Sequence, residues 1–178
     1  VVSPGSRNAP LIKASQDAGR PEIVALDERA AAHHARGMAL ALNQPVAVCC
    51  TSGTAAINHG PALAEANQLG LPIVSLTADR PEGAENQWES QTLVQGGMHA
   101  GQVRGSHLWP PKVNSEADCL DAILADLQHG PVHINCPFNE PLYLSKNGNG
   151  RGETPFSGPL SPQSEPLNAR QTSVDALQ

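Results

Sequence analysis

Long apolar runs are missing from this chain: none approaches the roughly 20 residues needed to cross a bilayer, and the longest are of strand length. A membrane-spanning helix is therefore excluded, and a soluble protein with no membrane partner is expected. Basic residues are also sparse, with 11 Lys and Arg against 17 Asp and Glu and a net charge of −6 with histidine neutral. They form no stripe that could neutralise a phosphate backbone, so nucleic acid is not an expected partner. The four cysteines, Cys49, Cys50, Cys119 and Cys136, show no C-x-x-C spacing. Two of them fall inside strand-like apolar runs, where a thiol behaves as a small hydrophobe, and a reducing, cytoplasmic setting is expected. No G-x-G-x-x-G follows the first apolar run, which argues against a dinucleotide-binding unit. Thr51-Ser52-Gly53 lacks the G-x-S-x-G elbow of a serine hydrolase. His33 and His34 are neighbours, about 100° apart on a helix, and so cannot share a metal as an i, i+4 pair can. No metal site is expected. The chain opens on Val1-Val2-Ser3-Pro4-Gly5 without Met, charged leader or cleavage-site pattern, and reads as one already cut at both ends.

What is present is an alternation of two periodicities. Parallel-strand-like runs occur at Val1-Val2, Ile23 to Leu26, Val46 to Cys50, Ile73 to Leu76 and Val132 to Asn135. Helical patterns lie at Ala9 to Ala18, Ala30 to Leu42, Thr54 to Leu69 and Ser115 to Gln128. This alternation predicts an α/β domain, a doubly wound and mostly parallel sheet flanked by helices. Between Thr77 and Lys112 the periodicity fades, which predicts a long loop region with at most one short helix and a functional role. One domain is expected over residues 1–144. From about Ser145 the chain is rich in Gly, Pro, Ser, Asn and Gln, too polar to offset its ordering entropy, so 145–178 is expected to be a linker or disordered tail toward a further domain.

Four segments fall at the C-terminal ends of successive predicted strands: Ser3-Pro4-Gly5-Ser6-Arg7, Asp27-Glu28-Arg29, Thr51-Ser52-Gly53-Thr54 and Thr77-Ala78-Asp79-Arg80-Pro81. Open α/β sheets bind ligands along that rim, so these segments predict one crevice. Glu28 ends an apolar run and begins an alanine-rich helix, which makes it a candidate for chemistry. Taken alone, Asp27-Glu28-Arg29 is also an ordinary helix start, with Asp27 capping and Glu28 favoured by the dipole. Arg7 follows a Pro-Gly turn, and its planar fork suits a carboxylate. Arg80 could bind substrate or support the loop, and an ion pair with Asp79 or a bond to a loop carbonyl is an equal alternative. Gly53 could allow close approach of a flat ring or simply serve a helix N-terminus. His99 and His107 are read as surface loop histidines.

The stretches SPGSRNAPL (Ser3 to Leu11), DER (Asp27 to Arg29), QPVAVCCTSGTAAIN (Gln44 to Asn58), LTADRP (Leu76 to Pro81) and GPVHINCPFNEPLY (Gly130 to Tyr143) resemble the pyrimidine-binding domain of thiamine diphosphate enzymes. Thr51 to Asn58 resembles that superfamily at large. PGSRNAPL and TADRP, with DER between them, resemble the 2-succinyl-5-enolpyruvyl-6-hydroxy-3-cyclohexene-1-carboxylate synthases of menaquinone and phylloquinone biosynthesis more narrowly.

The resemblance implies a thiamine diphosphate-dependent transferase that decarboxylates 2-oxoglutarate and adds the resulting carbanion to isochorismate. It implies that Glu28 is catalytic, hydrogen-bonding N1′ of the aminopyrimidine from a dry, apolar cleft. It further implies cofactor contacts at Pro4, Gly5, Thr51, Gly53 and Asn58, and substrate contacts at Ser6, Arg7, Arg80 and Gln91, the last across a subunit interface. A homodimer or homotetramer is implied, with exposed apolar surface near the strand ends. Mg2+ and the diphosphate would be held mainly by a second domain with a Gly-Asp-Gly motif, which this chain lacks; Gly148-Asn149-Gly150 offers no carboxylate in its place. The family shows Gly-Ala-Asn-Gln where this chain has Trp88-Glu89-Ser90-Gln91, so the chain departs from the family pattern at the three positions before Gln91. A different thiamine diphosphate 2-oxoacid lyase of acetolactate-synthase type, or a non-catalytic assembly module, is the alternative reading.

Overall fold

The computed structural model describes residues 1–85, 87 and 90–142. The expected tail at 145–178, with Gly148-Asn149-Gly150, lies outside the described residues, as do Trp88 and Glu89. Four strands, β1 (Val46–Cys50), β2 (Ile73–Asp79), β3 (Gly105–Leu108) and β4 (Val132–Pro137), alternate with helices α1 (Ala9–Asp17), α2 (Glu28–Leu42), α3 (Thr54–Ile57), α4 (Gly60–Leu69) and α5 (Glu116–Leu127). The sheet runs β1-β2-β4-β3 and every pairing is parallel, Cys50 lying beside Thr77 and Thr77 beside Asn135. The α/β class and the helix-flanked parallel sheet are as the alternation predicts.

Strand side chains alternate between faces, so each face needs its own cover. On one face α2 and α4 pack Ala31, Ala32, Ala35, Ala39, Ala62, Leu63 and Ala66 onto Val46, Val48 and Ile73. The run of alanines keeps this helix stripe thin, so α2 can lie close to the sheet. On the other face Leu11 of α1 and Cys119, Ile123 and Leu127 of α5 cover Cys49, Ala78, Val132, Ile134 and Cys136. All four cysteines are free and buried, as small hydrophobes are.

The helix ends follow local chemistry. Asp27 caps α2 by accepting the Ala30 N–H at 2.6 Å, and Ser115 caps α5 through the Asp118 N–H at 3.1 Å. Asn43 and Gly70 end α2 and α4 in the left-handed conformation.

Several expected elements differ. Val1-Val2 and Ile23 to Leu26 form isolated parallel bridges rather than strands, Val2 pairing with both Val24 and Cys49. The backbone bond Ser3 N–H to Cys49 O still lays the first segment beside β1, and Val2 N–H to Ile23 O and Ala25 N–H to Val2 O lay the second outside the first, all in parallel register. The outer segment has a neighbour on one side only, and Val24 and Leu26 stand 63% and 83% exposed. The single helix expected over Thr54 to Leu69 is two, because Pro61 lacks the N–H an unbroken helix would use and occupies the first turn of α4 instead. β3 arises inside the stretch expected to be loop. Its sequence Gly-Ser-His-Leu has no apolar alternation, and it is a strand through pairing with β4 alone.

Candidate functional site

Because the strands are parallel, their C-terminal ends bring Ser3–Arg7, Asp27–Glu28, Thr51–Gly53 and Asp79–Arg80 to one rim. The first two contacts across it are steric. A Cβ on Gly5 would stand 2.6 Å from the Thr51 Cβ, so only glycine lets the Pro4-Gly5 turn lie against the end of β1. Gly53 sits at φ +82, and a Cβ there would stand 2.7 Å from Gln91 Cα. The glycine at 53 is thus required by a close approach of the chain's own loop. Asn8 fixes the first turn from beneath, accepting the Gly5 N–H at 2.9 Å and donating to the Ser3 carbonyl at 3.0 Å.

Glu28 occupies the first turn of α2 and is half-buried. The expectation of a carboxylate sequestered in a dry cleft is therefore not met within the single chain. The outer segment leading to it is an edge whose apolar side chains Val24 and Leu26 stand open among the described residues. No hydrogen bond or ion pair engages this carboxylate among the described residues. Its charge is nonetheless felt at β1: burial pushes the Cys50 thiol well above its ordinary value, and Cys49 and Glu28 add to the shift.

Arg7 is buried, with Nη1 donating to the Phe138 carbonyl at 2.9 Å and Nη2 paired with Glu140 Oε1 at 3.1 Å. Its fork already holds a carboxylate, that of an exposed side chain of the same fold. Ser6 and Pro4 are exposed beside it. Arg80 donates from Nη2 to the Ser90 carbonyl at 3.1 Å, the loop-carbonyl option, while its backbone N–H is held by Asp79 Oδ1 at 2.7 Å. Burial raises the Asp79 carboxyl above its ordinary value, opposed by bonds from Asn135 and the Arg80 backbone and by the Arg7 charge. Gln91 has φ +57 and an exposed side chain, with its backbone pressed on Gly53. Asn58 is exposed at the end of α3, and its Nδ2 donates to the Thr54 carbonyl at 2.9 Å. The fold thus joins Gly5 to Thr51, Gly53 to Gln91 and Arg80 to the loop at Ser90, while Asn58 is spent locally.

Behind the rim lies a buried polar layer that sequence reasoning missed. Thr77 Oγ1 donates to Asn135 Oδ1 at 2.9 Å. Its one proton being spent, it must accept from His133 Nε2–H at 2.8 Å. Burial holds His133 down to about 3, with His99 and His107 adding to the effect. His59 is likewise held at about 3 by burial and by His99 and His133, with Nδ1 2.9 Å from Ser75 Oγ. His99, expected on the surface, is buried and bonded through Nε2 to the Ala56 carbonyl at 3.0 Å. His107, also expected in a loop, lies in β3 and meets Asp126 at 3.0 Å. Gln95 ties this layer to the rim. The only hint for it was its place in a non-periodic stretch.

Among the described residues no helix is long and apolar enough to cross a membrane. The family described as "Thiamine pyrophosphate enzyme, N-terminal TPP binding domain" matches residues 1–99. Among curated relatives, the 2-succinyl-5-enolpyruvyl-6-hydroxy-3-cyclohexene-1-carboxylate synthase of Desulfotalea psychrophila is 45% identical over 153 residues, covering 80% of this chain and 28% of that protein. Proteins of the same name from Porphyromonas gingivalis (42% identical, 83% of this chain, 27% of that protein) and Bacteroides fragilis (42%, 80% and 27%) are similar to it as well. The chain spans little more than a quarter of the length of these relatives.

Proposed function

This chain belongs to the thiamine pyrophosphate enzyme family through its N-terminal TPP binding domain, and on that premise we propose that it is the pyrimidine-binding domain of a longer synthase. That enzyme would decarboxylate 2-oxoglutarate and add the product carbanion to isochorismate in menaquinone biosynthesis, a reading supported by the similarity to proteins named 2-succinyl-5-enolpyruvyl-6-hydroxy-3-cyclohexene-1-carboxylate synthase. The domain occupies residues 1–144, in a cytoplasmic homodimer or homotetramer.

The observation that carries the reading is the free carboxylate of Glu28. It stands at the ligand rim of a parallel sheet, half-buried, with no hydrogen-bond partner among the described residues, beside a Ser-Arg turn and a Thr-Ser-Gly turn. An acid so placed fits the N1′ position of an aminopyrimidine. Among the described residues no group of three or more His, Cys, Asp or Glu could hold a metal ion. Mg2+ would belong to another domain. When bound, thiamine diphosphate supplies the electron sink for decarboxylation.

This chain's own residues hold, shield and orient. Glu28 holds a proton at the pyrimidine. Thr51, Gly5 and Pro4 shape the wall beside it, with Gly53 and Asn58 at the start and end of α3. Ser6, Arg7, Arg80 and Gln91 are assigned to the substrate, Gln91 across the subunit interface, and Arg7 would exchange the exposed Glu140 carboxylate for one of the substrate's. Covering the exposed Val24 and Leu26 with a second subunit would complete the dry surroundings that Glu28 requires.

Glu28→Gln in the full-length protein should abolish turnover of 2-oxoglutarate with isochorismate while leaving the circular dichroism and melting midpoint unchanged. Retained turnover refutes the role of Glu28. Consumption of pyruvate alone would reassign the protein to an acetolactate-type synthase. Light scattering that found only monomer would remove the second subunit from the site.

A further inference from the structure

Gln95 lies in a stretch without regular secondary structure, yet it is 1% exposed. Its Oε1 accepts the Gly53 N–H at 2.6 Å, and its Nε2 donates to the Ala78 carbonyl at 3.0 Å and to Asn135 Oδ1 at 2.9 Å. Both of its N–H donors are used, on the neighbouring strands β2 and β4. Asn135 carries the path onward, with Nδ2 donating to Asp79 Oδ2 at 2.6 Å, and Asp79 Oδ1 receives the Arg80 N–H at 2.7 Å. An unbroken chain of hydrogen bonds therefore runs from the Thr51–Gly53 turn through Gln95 and Asn135 to the Asp79–Arg80 turn. Thr77, opposite Asn135 in the sheet register, braces it from the strand side.

Two physical consequences follow. The Gly53 N–H is consumed from within the fold, so this turn meets a ligand with a fixed backbone and without that donor. The separation of the two turns is set by amide groups in a buried layer, where an unmade bond costs about 1–3 kcal/mol, and not by a flexible loop. The path joins the turn proposed to face the cofactor to the turn proposed to face the substrate. Misplacing reacting groups by about 1 Å can cost on the order of 100-fold in rate.

We propose that Gln95 is a positioning residue that clamps the Thr51–Gly53 turn to the Asp79–Arg80 turn and so fixes cofactor and substrate sides of the rim at one spacing. This rests on the functional reading above, in which those turns flank the reaction.

The test uses the full-length protein, wild type beside Gln95→Met and Gln95→Glu, with kcat and KM for the 2-oxoacid, thiamine diphosphate affinity by calorimetry, and melting midpoint. Gln95→Met keeps volume and removes every bond of the clamp; kcat should fall about 10- to 100-fold, well beyond any change in KM. Gln95→Glu has an internal rescue. Once protonated, its carboxyl can donate to Asn135 or Ala78 while accepting from Gly53, so its kcat relative to wild type should rise as pH falls. Wild-type kcat in Gln95→Met, with only a lowered melting midpoint, overturns the clamp while leaving the functional reading intact. Wild-type protein that neither binds thiamine diphosphate nor turns over overturns the functional reading and the clamp's role with it.

Hydrogen exchange at the Gly53 amide of wild-type protein tests the clamp even if both variants fail to fold. Slow exchange, unchanged on adding thiamine diphosphate, is expected. Exchange at the rate of an open loop overturns the proposal.

Discussion

Mild acid should weaken this fold through its buried histidines. His59 and His133 are fully buried, and burial holds each down to about 3, with neighbouring histidines adding to the effect. In the unfolded chain an imidazole takes up its proton near pH 6.5. Between about pH 6.5 and 3 the unfolded state therefore binds more protons than the folded one, and stability falls as pH drops through that window. At pH 5 the 1.5 units below 6.5 correspond to about 2 kcal/mol per ring, or about 4 kcal/mol for the two relative to neutral pH. That is a large part of the roughly 5–15 kcal/mol typical of a domain. His99 is also lowered by burial and acts in the same direction. Asp79, raised by burial, opposes them, since its protonation favours the folded state as pH falls. Urea unfolding of this chain at pH 7.5 and 5.0 measures the sum, with the m-value showing whether the two states stay the same. The ring C2 proton of His133 measures the cause. An unchanged or rising urea midpoint at pH 5.0, or a His133 ring that titrates near 6.5 in the folded protein, would refute the reasoning.

Gly53→Ala places a Cβ 2.7 Å from Gln91 Cα at φ +82 and should lower stability by about 1–3 kcal/mol, read as a fall in thermal midpoint; a midpoint equal to wild type would mean that the 90–92 loop moves away freely. Leu63→Ala empties a fully buried site between α2, α4 and the sheet and should cost about 2–5 kcal/mol in denaturant unfolding, and a change under about 1 kcal/mol would place the core elsewhere. Glu140→Gln removes the partner of Arg7, but the Glu140 side chain is 68% exposed, so less than about 1 kcal/mol of stability should be lost. A much larger loss would show that Arg7 depends on Glu140 to remain buried as a charge.

The helices and the central strands were legible because their signals are local. Val46–Cys50 begins and ends where its apolar run does, and Glu28–Leu42 begins at its Asp27 cap. The rim was legible for the same reason, since parallel strands separated by helices put their C-terminal ends on one side wherever they pair. β3 was not legible: Gly-Ser-His-Leu carries no pattern of its own and is a strand through its bonds to β4. Nor was the burial of His99, whose sequence neighbours are those of a surface loop.

Residue type and spacing by themselves thus determined an α/β chain with Glu28, Arg7, Thr51 and Arg80 along one edge. Tertiary structure alone decided which polar groups stand behind that edge. Gln95 meets Gly53, and Asn135 meets Thr77 and Asp79, through parallel register and a loop folded back over the sheet. Periodicity reports how one segment distributes its side chains between core and water. The partner of a buried amide is set instead by which distant segment the packing brings within hydrogen-bond reach, and no local pattern encodes that.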